Sequence, residues 1–326
     1  MGKYNPDWYG TQAKVIEQDE NCMVIDYGCK GHGTVTNYFL FDGIQVCFLD
    51  FDTEGNFPAQ KFNPDIIQIT HCRYGRYECE FPNHTVSYLP EGYFSVSGTH
   101  YLPVSFSFPL KKCYALSLVI DKRALSESVR RMMQAIPINL DSIGSTLEIE
   151  KNWYLSTTPP KLQNLFSEMY EAKGIEQAAY FKIKAVELLY HMNQLTQNHG
   201  CDFKYFDKGQ IRTTKEIWGY MISHLEEKHS LEDLTRKYKI NLSLFHMVFS
   251  QIYGDTPYSC LKKYKMNIAA GRLLDSEDKI GEIAIDLGYS NASKFAKAFQ
   301  SVYGELPKDY RKNKKEYERA IFGNLR

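Results

Sequence analysis

The sequence predicts an α+β protein in which an antiparallel β-barrel domain with added helices precedes an all-α domain. Three observations predict it. Between about residues 20 and 120, short alternating or β-rich runs are separated by Gly, Pro and Asn clusters. Beyond that point apolar residues recur at helical spacing. A plan of two short helices joined by a tight turn then occurs twice in the C-terminal half. A chain of 326 residues is long enough for two domains that each bury a core. The expected boundaries are a β-rich domain over 1–120, a helical extension over 121–200, a linker over 201–211 and a second domain over 212–326.

The β-rich runs are NCMVIDYG, GIQVCFLDF, DIIQITHCRYGRYECEF, TVSYLPEGYFSVSG and CYALSLVID. Many short strands at this spacing favour a barrel or a sandwich. ALSESVRRMMQAI, PPKLQNLFSEMYEAKG and QAAYFKIKAVELLYHMNQLTQ read as helices, the last with Ile183, Val186, Leu189 and Tyr190 at helical spacing. Such helices either cover the barrel or pair across a dimer. Periodicity lapses in NHGCDFKYFDKGQ, which places the linker. Thr213 and Glu216 have the spacing of a capping box, opening a helix with Ile217, Trp218, Met221, Ile222 and Leu225 as its apolar face.

Composition narrows the function classes. No run approaches the roughly 18 apolar residues of a membrane span, and the N-terminal stretch lacks a signal-peptide pattern, so a cytoplasmic chain with reduced thiols is expected. The eight cysteines form no C-x-x-C pair, and neither a metal nor a cofactor is expected. The net charge of zero conceals a division: residues 1–207 hold 18 Lys/Arg against 24 Asp/Glu, a net −6, and residues 208–326 hold 21 against 15, a net +6. The basic end is the candidate for nucleic acid.

The duplicated plan gives that charge a geometry. In the first copy Ser230 caps a helix with Leu231 and Leu234 inward. A turn follows at Lys239-Ile240, then Asn241 caps a second helix carrying Phe245, Val248 and Phe249, which Gly254 ends. In the second copy Ile280, Ile283, Ala284 and Leu287 point inward, Gly288 turns, Asn291 caps, Phe295 and Phe299 face the core, and Gly304 ends the helix. Pro257 and Pro307 each follow their glycine by three residues. Such a helix-turn-helix props its second helix outward, where it can enter a major groove. Ala284 permits a close crossing, whereas Thr235 at the matching position loosens it. Between the copies, Pro257 to Leu274 reads as one helix of 18 residues, about 27 Å long at about 1.5 Å per residue. That length suits two recognition helices in successive major grooves of one duplex face.

The strings IGEIAIDLGYSNASKFAKAFQSVYGELPKDYR and SLEDLTRKYKINLSLFHMVFSQIYGDTPYSCLKKYKMNIAAGRLL resemble the AraC/XylS family of transcription regulators over residues 212–312. The resemblance implies a domain that binds double-stranded promoter DNA, usually to activate transcription with RNA polymerase as partner. It also implies a preceding domain that binds a small effector and forms a homodimer. Carried over by position, the first recognition helix presents Ser243, His246, Met247, Ser250 and Gln251, and the second Ala292, Ser293, Lys294 and Lys297. These sets hold few of the Arg and Gln side chains that read bases bidentately, so apolar contact with thymine methyls and DNA shape are expected to contribute. Asn241 and Asn291 at helix N-termini, with Lys262, Lys263, Lys308, Arg311 and Lys312, are the backbone-positioning candidates.

In the first half, His71, Arg73, Arg76, Tyr74, Tyr77, Tyr88 and Tyr93 are the candidates for an effector pocket, as polar anchors among dense aromatics. The alternative is that these aromatics form an ordinary core. HCRYGRYECEF and YLPEGYFSVS, with KYKMN and SNASKFAKAF, are similar to the PchR-like, siderophore-responsive branch of the same family, which makes a ferric siderophore one option. Two other functions stay open. One is an effector-independent regulator whose first half only dimerises. The other is a cupin-type metal enzyme, for which His32, His71, His84 and His100 are too scattered to form a ligand motif.

Overall fold

The computed structural model describes residues 9, 13–59, 65–172, 178–195 and 205–313. The chain divides into two compact units, Met1–Asp207 and Lys208–Arg326.

The first unit is a curled antiparallel sheet with helices on one face. Its strands are β1 (Lys14–Gln18), β2 (Cys22–Asp26), β3 (His32–Phe41), β4 (Ile44–Asp52), β5 (Asn56–Pro58), β6 (Ile66–Glu80), β7 (Thr85–Pro90), β8 (Tyr93–Gly98), β9 (Ser105–Ser107), β10 (Lys112–Asp121), β11 (Tyr154–Thr157) and β12 (Phe206–Asp207). The main path runs β1-β2-β3-β4-β10-β6-β7-β12. The fifteen-residue β6 organises it: its first half pairs with β10 and β8, its second with β7 and β9. Between those halves the β6–β10 register shifts at Tyr114/Ala115. Gly75, at φ +84°, sits beside this bulge, where a Cβ would come within 2.0 Å of the Lys112 carbonyl oxygen, so only glycine fits.

Both faces of the sheet are covered. On the convex side Ile67, Ile69, Val46, Phe48, Leu116 and Leu118 meet α1 (Glu127–Ala135), α2 (Leu140–Thr146), α3 (Pro160–Glu171) and α4 (Ala178–Met192). On the concave side Tyr27, Phe51, Phe57, Tyr77, Phe106 and Phe108 form an aromatic cluster. Double coverage explains why β3 does not read as an alternating strand: six of its ten residues are buried, four of them consecutively. It also corrects the apolar face of α4. Phe181, Ala185, Leu188, Leu189 and Met192 are buried, whereas Ile183 and Tyr190 are exposed and Val186 is half-buried.

Two cross-strand rungs on the concave face are polar. One runs Phe39–Gln45–Val119–Gln68–Ser97 and the next Asn37–Cys47–Ser117–Thr70–Ser95, across β3, β4, β10, β6 and β8. Gln68 Nε2 donates to Thr70 Oγ1 (3.3 Å) and Ser117 Oγ (3.4 Å), and these hydroxyls bond each other at 2.8 Å.

The second unit is helical: α5 (Lys208–Ser223), α6 (Leu231–Lys237), α7 (Leu242–Tyr253), α8 (Pro257–Asp275), α9 (Ile280–Asp286) and α10 (Ala292–Tyr303). α5 starts five residues before Thr213, so the Thr213/Glu216 spacing is not a cap. Thr214 is instead buried inside the helix, facing the core beside Ile211, Ile217 and Met221. Residues 208–211 of the expected linker thus form the first turn of α5, while 201–204 lie outside the described residues. Two cores follow. Ile217, Met221, Leu231, Leu234, Phe245, Phe249 and Leu261 make the first. Met266, Ala269, Leu273, Ile283, Ala284, Leu287, Phe295 and Phe299 make the second. α8 supplies one end to each, and Leu225 packs against both.

Candidate functional site

The caps and stops of both helix-turn-helix units stand where the sequence places them. Ser230 accepts from Asp233 N–H to cap α6. Asn241 accepts from Ser243 and Leu244 N–H to cap α7, and Asn291 from Lys294 N–H to cap α10. Gly254 and Gly304 end α7 and α10 in the left-handed conformation, at φ 82° and 79°. Pro257 begins α8, whose 19 residues span about 28 Å at about 1.5 Å per residue.

With Phe245, Val248 and Phe249 buried, the opposite face of α7 presents Ser243 and Met247 to solvent, flanked by half-buried His246, Ser250 and Gln251. With Phe295 and Phe299 buried, α10 exposes Ala292, Ser293, Lys294 and Lys297. The same outward stripe continues to Gln300, which is exposed and follows Lys297 by three residues and Ser293 by seven, a shared helical face. The sequence reading stopped one turn short of it. Its amide is the kind of group that pairs with adenine in the major groove.

The backbone-positioning candidates divide. Lys262, Lys308 and Lys312 are exposed. Lys263 Nζ lies 2.8 Å from Asp255 Oδ2, and that carboxylate also accepts from Ser259 and from Thr256 N–H at the start of α8. Arg311 is turned inward: it donates to the carbonyls of Leu273 (3.1 Å) and Asp278 (2.8 Å), satisfying the end of α8 rather than facing outward. Arg272 holds Asp278 and Asp286 at the same junction.

A third feature joins the two helix-turn-helix hairpins within the C-terminal unit. Lys265, buried midway along α8, donates to the Leu225 carbonyl at 2.7 Å, and burial pushes its ammonium pKa down. Gly288, at φ +75°, lies so close to the same segment that a Cβ would meet the Leu225 carbonyl oxygen at 2.6 Å and that of Glu226 at 2.9 Å. The loop after α5 is thereby held from α8 and from the second turn together.

The pocket candidates of the first unit are not brought together. His71 faces the helices, stacked on Phe166 with ring centroids 4.3 Å apart and 3.2 Å from the Tyr170 hydroxyl; burial pushes its imidazole down to about 4, so it is neutral. Arg73 and Tyr74 are exposed, with Arg73 over the Tyr170 ring. Arg76 and Tyr93 are half-buried, and Tyr88 is buried with its hydroxyl donating to Glu78. Tyr77 alone of the seven lines the concave cavity, of about 40 Å3, with Tyr9, Tyr27, Cys47, Gln68, Ser117 and Val119 among its neighbours.

Comparison with known proteins agrees with the helix-turn-helix geometry. A family model described as a helix-turn-helix domain matches residues 234–313. The HTH-type transcriptional regulator ExsA of Pseudomonas aeruginosa is 28% identical over 105 residues, 32% of this chain and 38% of that protein. YdiP of Escherichia coli, also described as an HTH-type transcriptional regulator, is 32% identical over 98 residues, 30% and 32% of the two chains. The chain thus spans about a third of the length of these curated relatives. Among solved structures, the C-terminal domain of AraT, a response regulator from Geobacillus stearothermophilus, is 26% identical and covers 31% of this chain and 84% of its own, with a TM-score of 0.30. With two capped hairpins, their glycine stops and the joining helix all in place, residues 234–313 carry the helix-turn-helix domain that the matching family model describes, in line with the resemblance to AraC/XylS regulators.

Proposed function

We propose that the chain is a sequence-specific regulator of transcription that sets α7 and α10 in successive major grooves of promoter DNA. The observation that carries this reading is the pair of outward helix faces, each backed by its own buried phenylalanines and fixed to one continuous α8. Ser293, Lys294, Lys297 and Gln300 supply polar groups to base edges and phosphates from α10. Met247 and its neighbours on α7 supply apolar contact to thymine methyls. Arg311 and Lys263 act on the fold, and Lys262, Lys308 and Lys312 act on the duplex backbone. The protein works in the cytoplasm, as an activator that engages RNA polymerase. The concave face of its first unit takes a small effector, and the chain works as a homodimer. A ferric siderophore does not suit that face, since a cavity of about 40 Å3 is far below the roughly 300–1,000 Å3 of sites that enclose drug-sized ligands.

Footprinting and titration of promoter DNA test the reading. Affinity is expected to fall steeply with salt, and Lys297→Ala to weaken binding several-fold and to reduce the salt slope by about 1. A complex indifferent to salt, or one that leaves no footprint, counts against it.

A further inference from the structure

We infer that the first helix-turn-helix unit reads the C5-methyl group of a pyrimidine through Met247, and so accepts 5-methylcytosine where it accepts thymine. This rests on the reading that α7 enters a major groove, and adds the chemical group it recognises and a response to cytosine methylation.

The contrast between α7 and α10 is the starting observation. Along its twelve residues, LSLFHMVFSQIY, α7 carries no Asp, Glu, Lys or Arg. On α10, Lys294, Lys297 and Gln300 are exposed as long hydrogen-bond donors. A helix entering a groove loses the water on its outward face, and that loss is offset by hydrogen bonds, by charge or by apolar burial. On α7 the charge is absent. Met247 stands at the middle of the outward face, 36% exposed and the one large apolar side chain of this helix so exposed. Ser243, one turn before it, is exposed, and Ser250, one turn after it, is half-buried. Their short hydroxyls both donate and accept, so they discriminate poorly between base pairs. His246 and Gln251 are half-buried at the flanks.

The major groove offers one apolar group to such a side chain. Thymine carries a methyl at C5, cytosine carries hydrogen there, and the purines present only polar atoms. 5-Methylcytosine places the same methyl on the same ring atom. An unbranched, polarizable thioether packs against a methyl without demanding one direction of approach. Met247 thus separates a methylated pyrimidine from an unmethylated one. Burial of one methyl corresponds to about fourfold in affinity.

The test uses the full chain and a random duplex library. Rounds of selection yield the preferred site, which is then synthesised with deoxyuridine replacing thymine in either half. A second series carries cytosine or 5-methylcytosine at the thymine whose replacement costs most. Deoxyuridine in one half-site is expected to weaken wild-type binding about fourfold per contacted methyl, and to weaken Met247→Ala less than twofold. At that position 5-methylcytosine should bind the wild-type chain about fourfold more tightly than cytosine, and bind the variant equally. The slope of log affinity against log salt should be the same in Met247→Ala, because no phosphate contact is lost. Met247→Leu, which keeps the apolar volume, should keep the methyl preference, and circular dichroism checks the fold of both variants. A deoxyuridine loss of equal size in the wild type and Met247→Ala, no loss in either half-site, or no gain from cytosine methylation would overturn the inference and leave DNA binding intact. Failure to select any site would remove the DNA-binding reading, and the inference with it.

Discussion

The two helix-turn-helix units follow one plan and solve its tightest point differently. After α6 the chain turns through Lys239 at φ 56°, and Ile240 N–H returns to the Thr235 carbonyl at 3.0 Å. After α9 it turns through Gly288 at φ 75°, and Tyr289 N–H returns to the Ala284 carbonyl at 2.9 Å. The backbone motif is the same helix C-cap. A residue with a side chain is tolerated in the first unit, but the neighbouring carbonyls of Leu225 and Glu226 exclude one in the second. The crossing differs too. Thr235 is buried with its hydroxyl donating to the Leu231 carbonyl at 2.8 Å inside its own helix, so it fits without an unpaired group, whereas Ala284 has no hydroxyl to place. Duplicated sequence therefore does not mean duplicated tolerance: the second unit is limited by backbone approach and the first by side-chain bonding.

The largest expected effect breaks the difference at the turns. Gly288→Ala forces a left-handed alanine against two carbonyls and is expected to cost about 2–4 kcal/mol in urea unfolding; a loss below about 0.5 kcal/mol would show that the Leu225–Glu226 segment yields easily. The caps come next. Asn241→Ala releases two N–H groups and Asn291→Ala one, so losses of about 1–2 and about 0.5–1 kcal/mol are expected, and equal losses would erase the asymmetry. Lys239→Gly should move the other way, stabilising by up to about 1 kcal/mol as the left-handed cost disappears. Smallest is a pH effect at the start of α8. Bonds from Lys263, Ser259 and Thr256 N–H hold the Asp255 carboxyl down to about 2. Its folded pKa is below the unfolded value, so its contribution is present above about pH 4 and is lost as pH falls toward 2. Because the side chain is partly solvated, that contribution is under about 1 kcal/mol, and Asp255→Asn should flatten the pH dependence of unfolding across that window.

The second unit was legible because its signals are local. A capping Asn, a left-handed Gly and a pair of Phe four residues apart each act within one or two turns, and all of them recur in the structure. The capping-box spacing at Thr213 misled because the same two residue types also occur inside a helix, where Thr214 faces the core. The faces of the pocket candidates on β6 were obscured by the bulge beside Gly75. A strand that slips by one residue reverses the face of everything after it, so Cys72 and Tyr77, an odd number apart, both reach the concave side while His71 turns to the helices. Arg311 shows the limit of charge: the sequence reveals a cation near the end of the domain, but only the fold shows that two carbonyls already hold it.

The bond from Lys265 to the Leu225 carbonyl, with Gly288 against the same segment, bears on how the second unit comes apart. Two hairpins strung on one helix would open independently if nothing else joined them. Here the first cannot loosen its post-α5 loop without stripping a buried ammonium of its acceptor in the middle of α8. The two reading heads are expected to melt as one cooperative body, with backbone amides of α7 and α10 exchanging at a common rate.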